Sequence, residues 1–415
     1  MKLLLVVAAL LAGSAAACGG DSGATTVSLV VFGEAEEIAA YRSLASSFAD
    51  AQDDIEVELV EVPDREALIA RVTTSIAAGD PPDLFLVNYR FFGPFVARGV
   101  LEPLQERLDA SAVLAEGAMY DLAVDAFRDG DGEVVCLPQN VSSLVVYFNR
   151  DLFEAAGLPV PAAGWTWDDM TAAAAAMREG ERYGLGVEPS IIRLAPFVWS
   201  NGGDLVDDPD RPTRLTLDTP AALEALERFL ALGRDGLVPT AEESAAEDDE
   251  ARFANGRLAM YLDSRRVTPQ FRLTDDFEWD VAPLPVLRQP AGVLHSDAYC
   301  LTADSEHHDA AFAFLEYALG PEGAAVIART GRTVPSLRSV AESDAFLDPS
   351  RPPQSSAVFL DTIPAIRALP RISTWPEIES VANEILAAAR ADGTPAEEVA
   401  RRLDEATRDV FARGE

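Results

Sequence analysis

Three histidines, His295, His307 and His308, are the only imidazoles in 415 residues, and the adjacent pair cannot share one helical face. With no Cys/His spacing of ligand type, the chain carries no zinc signature. Asp129-Gly130-Asp131-Gly132-Glu133 and Asp207-Asp208-Pro209-Asp210 look like halves of a calcium loop. Both lack the rest of the twelve-residue pattern and read better as tight turns. No Gly-x-Ser-x-Gly elbow, phosphate loop or dinucleotide fingerprint is present, and Gly184-Leu185-Gly186 lacks the remaining glycine and the preceding strand. Asp and Glu together number 69, too many to nominate a glycosidase pair, since any two can be paired on paper. The reading is therefore of a protein that is not an enzyme, with no metal and no cofactor, and a surface glycosidase stays as a residual alternative.

What these residue types can do is bind. Trp165, Trp167, Trp199, Trp279 and Trp375 offer flat aromatic faces of the kind that stack on pyranose rings, while carboxylates and amides take the hydroxyls. Trp167 sits where a helix should begin and Trp279 just before a strand, so both are expected in a core. Trp199 and Trp375 fall in segments read as loops, which is where binding residues concentrate.

The elements that must position such groups follow from hydrophobic periodicity. Residues 27–32 are apolar enough for a buried parallel strand, Ile38, Tyr41, Leu44, Ala45 and Phe48 recur at helical spacing, and Ile55, Val57 and Leu59 alternate as a second strand. Leu68, Ile69, Val72 and Ile76 form the next helical face and 83–87 a third strand. That is doubly wound α/β construction, whose ligands sit beyond the carboxyl ends of the strands. Residues 33–37 and 88–92 leave those ends and carry the first pocket candidates, Glu36, Asn88, Tyr89 and Arg90. At Pro138-Gln139-Asn140 the chain breaks between two β-branched runs, because Pro138 donates no ladder hydrogen bond. This is read as a crossing between two lobes, with a cleft beside it. Downstream, Thr166 and Asp169 form a capping-box-like pair, Thr219-Pro220 opens a helix, Ser305 caps another, and the acidic run 242–250 reads as solvated.

At this length two domains are expected. A hydrophobic share of 48% makes the chain globular, and a net charge of −36 with no basic stripe excludes nucleic acid as a partner. Met1-Lys2, the apolar run 3–12 and the small residues 13–17 read as a secretory signal peptide (1–17), too short to span a membrane. Cys18 followed by Gly19-Gly20-Asp21-Ser22-Gly23 looks like a lipoprotein processing site, with 18–26 as a tether. Ala15 departs from the leucine usual there, and an ordinary secreted protein cut near Ala17 is the alternative. Both readings export the chain.

Tyr147-Phe148-Asn149-Arg150-Asp151-Leu152-Phe153-Glu154-Ala155-Ala156-Gly157-Leu158 after the Pro138 break, together with Trp165-Thr166-Trp167-Asp168-Asp169, makes one of four family-like segments. The others are Ala77-Ala78-Gly79-Asp80-Pro81-Pro82-Asp83-Leu84-Phe85, Phe253-Ala254-Asn255-Gly256-Arg257-Leu258-Ala259-Met260 and Asp280-Val281-Ala282-Pro283-Leu284-Pro285. Taken in chain order they resemble the extracellular solute-binding proteins of family 1, the maltose-binding-type receptors of ABC importers. The resemblance implies an α/β, periplasmic-binding-protein type II-like fold. It places 27–139 and 292–320 in a first lobe, and 140–291 and 321–415 in a second, with hinge closure on a small solute. It implies a monomer, anchored outside the cell membrane by lipid on Cys18, that delivers a mono- or oligosaccharide to permease subunits; a glycerol-phosphate ester is the alternative solute. The ligand set so implied is Glu36, Asn88, Tyr89, Arg90, Asn140, Trp199, Asp204, Arg265, Asp297 and Trp375. It also makes neighbours of the strands carrying Cys136 and Cys300, so an oxidising compartment permits a disulfide; two small buried thiols are the alternative.

Overall fold

The computed structural model describes residues 23–33, 35–115 and 117–414. The leader and Cys18 lie outside the described residues. The strands, in chain order, begin with β1 (Thr25–Phe32), β2 (Ile55–Val62), β3 (Leu84–Asn88), β4 (Cys136–Pro138), β5 (Val145–Asn149) and β6 (Tyr183–Gly186). They continue with β7 (Leu258–Asp263), β8 (Trp279–Ala282), β9 (Gly292–Val293), β10 (Asp297–Leu301) and β11 (Ile366–Arg367).

Two sheets divide them. One has the order β2-β1-β3-β10-β4, with β1 parallel to β2 and β3, and β10 antiparallel to β3 and β4. The other has the order β6-β7-β5-β8, with β5 antiparallel to both neighbours. Helices cover both, as an α/β chain requires for strands buried on two faces: Val27, Leu29, Val30 and Val31 of β1 are all closed to solvent. Local signals set the helices. Asp64 accepts from the Ala67 N–H at the start of Arg65–Ala78, and Gly79 ends that helix in the left-handed region, φ 77°. Thr166 and Asp169 complete a reciprocal capping box at Trp167–Met177. Ser305 is no cap of the His308–Leu319 helix; its hydroxyl instead bonds Asp83 and takes the His307 N–H.

Between the sheets run the crossing segments. β4 ends at Pro138, its missing N–H harmless at the sheet edge. The chain then pairs Asn140 with Pro335 and Ser142 with His295 before entering β5. β9 and β11 form a separate two-stranded ribbon beside this crossing. At one point the fold departs from the boundary drawn on sequence: the Pro321–Thr330 helix packs along Ala35–Ala51, on the five-stranded sheet, rather than with the second lobe. Its apolar residues Ala324, Ala325, Ile327 and Ala328 need a buried partner face and find it there.

Cys136 and Cys300 stand opposite each other on β4 and β10, with Cα atoms 4.3 Å apart, and are joined as a disulfide.

Candidate functional site

A cleft of about 480 Å³ opens where the crossing segments meet the ends of the two sheets. Its wall from the five-stranded sheet begins with Asn88, the last residue of β3. Asn88 caps the Tyr89–Ala97 helix by accepting from the Arg90 N–H at 3.2 Å, and donates to Asp297 Oδ1 at 3.1 Å, its register partner on β10. Arg90 bonds Asn88 Oδ1 through Nε and reaches Glu379 on the Trp375–Asp392 helix as an ion pair. Glu37 pairs with Arg332 at 2.6 Å. Burial pushes the Glu37 carboxyl up, and Arg332 only partly offsets it. Arg65 lays its guanidinium over Phe91 at 4.8 Å and Phe32 at 5.7 Å.

The crossing supplies the floor. Asn140 Oδ1 accepts from the Asp297 N–H at 2.7 Å, and the Asn140 carbonyl accepts from the Ser296 hydroxyl at 2.6 Å. Ser142 and His295 exchange both backbone hydrogen bonds. Burial, with Arg90 and Arg193 nearby, pushes the imidazole of His295 down to about 3, so it is neutral at physiological pH.

The opposite wall is built on Asp263 at the end of β7, which is 1% exposed. Its Oδ2 accepts from Arg193 at 2.9 Å, Arg266 at 2.9 Å and the Tyr261 hydroxyl at 2.7 Å. Burial pushes this carboxyl up, but the two guanidiniums more than reverse it and hold it well below the usual range. Glu188 and Glu250 extend the network to the other side of each arginine. Arg265, also 1% exposed, is clasped between the rings of Phe346 and Phe359 at 4.3 and 4.9 Å and donates to Ser356. Burial lowers its guanidinium to about 9.

Half of the ligand set inferred from sequence lines this cleft: Asn88, Arg90, Asn140, Arg265 and Asp297. The other half is placed elsewhere. Trp375 is wholly buried, packed against Phe411 where two C-terminal helices meet, so the platform reading is corrected: this indole is core. Trp199 lies in the last turn of the Ile191–Ser200 helix, 3% exposed, with Arg367 stacked over its ring at 4.8 Å. Asp204 is exposed and bonded to that same Arg367. Tyr89 is closed inside the Tyr89–Ala97 helix, its hydroxyl accepting from the Leu369 N–H. Glu36 faces solvent, and the next residue, Glu37, is the one turned inward.

Sequence reasoning missed Glu37, Arg65, Arg193, Asp263, Arg266, Arg332 and Glu379. Three had a usable signal. Glu37 belongs to the 33–37 segment already read as leaving a strand end, Arg266 adjoins Arg265 of the ligand set, and Glu379 lies one helical turn beyond Trp375. Arg193 and Arg332 come from segments whose approach only the tertiary fold reveals.

The cleft thus carries six arginines and six carboxylates in a chain of net charge −36. Among the described residues no metal-holding group of His, Cys, Asp or Glu occurs. With equal numbers of arginines and carboxylates, the lining is balanced in formal charge and offers both donors and acceptors, which suits a solute rich in hydroxyls.

The chain matches the family model described as bacterial extracellular solute-binding protein over residues 43–352. It belongs to that family. A binding protein of Brucella abortus is 26% identical over 345 residues, 79% of each chain. The mannitol-binding protein of Pseudomonas aeruginosa is 24% identical over 392 residues, 88% of this chain and 87% of that one. Among solved structures, the ABC substrate-binding protein Lmo0181 of Listeria monocytogenes, in complex with cycloalternan, superposes with a TM-score of 0.86. That likeness, at 22% identity over 94% of this chain and 99% of the other, shows the shared fold. As an extracellular solute-binding protein the chain works outside the cytoplasm, and its family is one of binding proteins rather than enzymes.

Proposed function

We propose that this protein captures a carbohydrate or polyol between its two lobes and presents it to the permease subunits of an ABC importer. The observation that carries the reading is the charge-balanced cleft at the crossing, where Arg90 pairs with Glu379, Arg332 with Glu37, and Arg193 and Arg266 with Asp263. A neutral polyhydroxylated solute can replace water around these groups without leaving a buried charge unpaired, which a charged solute cannot do as cheaply. The mannitol-binding relative and the cycloalternan complex support the same class of solute.

In this reading Asn88, Arg90, Asn140 and Asp297, with Glu37 and Arg332, contact the solute from the first lobe and the crossing, while Asp263, Arg265 and Arg266 close on it from the second. The cleft volume falls within the range that buries a small ligand. Lipid on Cys18 would hold the chain, as a monomer, at the outer face of the membrane. A glycerol-phosphate ester is the second reading, favoured by Arg65 and Arg265, cleft guanidiniums with no carboxylate bonded to them among the described residues.

A thermal-shift screen of sugars, polyols and glycerol-phosphate esters tests the proposal. A solute at about 100 times its dissociation constant adds ~2.7 kcal/mol to the folded state. Stabilisation by a sugar or polyol is expected; stabilisation by phosphate esters alone selects the second reading, and none by any of them removes both.

A further inference from the structure

Beyond the cleft lies a second, larger chamber of about 1060 Å³ in the second lobe, which the proposed function does not use. The two spaces share Glu188, Arg193, Arg266 and Asn383 as walls. They also share a floor. Pro376, Glu379, Ser380 and Asn383 of the Trp375–Asp392 helix line the cleft; Asn383, Ala387, Arg390 and Ala391 line the chamber. Steps of three and four residues keep these positions on one face, so a single stripe runs beneath both spaces for about 22 Å at 1.5 Å per residue.

The chamber differs in chemistry from the cleft. Val238, Pro239, Ala245 and Ala387 give it apolar walls. At its far end stand two polar groups that the fold leaves incomplete: Asp249 Oδ1, and Nε and one terminal nitrogen of Arg390, are buried without a hydrogen-bond partner. Arg390 is fixed by stacking on Phe229 at 4.6 Å and by donating to the Val187 carbonyl. It forms no ion pair with Asp249 among the described residues, although the two line the same space. Burial pushes the Asp249 carboxyl up to about 6, against the pull of Arg390 and Arg252. A buried acceptor and a buried donor left open on one cavity are completed together by a hydroxyl, which donates to the first and accepts from the second. Helix Ala241–Ala246 on its wall buries no residue, and the lining residues Ala245, Ala387 and Ala391 are exposed, so the space stands open to solvent.

We infer that cleft and chamber form one elongated site, and that the solute is an oligosaccharide. One unit lies between the lobes, and the rest lies along the Trp375–Asp392 helix with its terminal hydroxyls between Asp249 and Arg390. This rests on the carbohydrate reading above and narrows it to solutes longer than one ring.

Titration calorimetry with glucose, galactose, maltose, maltotriose, maltotetraose and galactosyl oligosaccharides tests it. Affinity should rise by at least about tenfold from single ring to trisaccharide in one of the series. Asp249→Asn and Arg390→Gln should each weaken the longer sugar about tenfold and leave single-ring affinity unchanged. Ala387→Trp, which fills the chamber without touching the cleft, should do the same. Affinity independent of length, or variants that weaken short and long sugars alike, overturns the extended site and leaves the carbohydrate reading standing. If no sugar of any length binds, the carbohydrate reading itself falls, and the extended site with it.

Discussion

Trp375 shows at residue scale how a motif position and a physical environment can part company. An indole before a proline invites a loop reading, yet Pro376 is tolerated in the first turn of a helix, and the ring drops into the junction with Ala396–Phe411. Trp375→Ala is therefore expected to cost about 3–5 kcal/mol of stability as a cavity mutation; urea denaturation of the unliganded variant measures it, and an unchanged midpoint would return the residue to the cleft. Asp263 makes the complementary case. Its carboxyl is depressed in the folded state, so its contribution is complete above the unfolded value of about 4 and is lost as pH falls through the lower folded value. Asp263→Asn should lose about 3–5 kcal/mol at pH 7 by leaving Arg193 and Arg266 without their shared partner. The gap from the parent protein should narrow below about pH 4, and denaturation curves at pH 7 and pH 3 that keep a constant gap would contradict this account. Asp263 drew no role from sequence because one of its two partners, Arg193, comes from a helix 70 residues away, although the other, Arg266, stands three residues on.

Elements were the most legible scale. The buried strands declared themselves by continuous apolar runs, the helices by their caps, and the crossing by the proline that ends β4 at a sheet edge. What sequence could not carry was the direction of side chains within an element, as Glu36 and Glu37 illustrate: one position along the helix separates solvent from the cleft. Helix boundaries also moved Tyr89 and Trp199 from expected loops into helices. The Cys136–Cys300 link belongs to this scale, since it ties edge strand β4 to β10 across a sequence separation of 164 residues. Replacing both cysteines with alanine should lower stability by about 2–4 kcal/mol while leaving solute affinity intact, because neither cysteine lines the cleft. Equal denaturation midpoints in the parent and the double variant would show that the link carries no stability.

At the scale of the whole molecule, export and capture are separable. The anchor is tested by Cys18→Ser, which should convert a membrane-associated protein into a released or unprocessed one; unchanged association in the variant would remove the lipoprotein reading. Capture depends on both lobes at once, because Asn88, Arg90 and Asp297 stand on one side of the crossing and Asp263, Arg265 and Arg266 on the other. Closure would bring these groups onto a common solute and exclude water from hydroxyls that then need every donor and acceptor the cleft offers. Hydrogen exchange across the backbone, with and without the most stabilising sugar or polyol, examines this most directly. Simultaneous protection of 88–90 and 295–298 on one side and 263–266 on the other is expected; protection confined to one lobe, or none at saturation, would contradict capture between them.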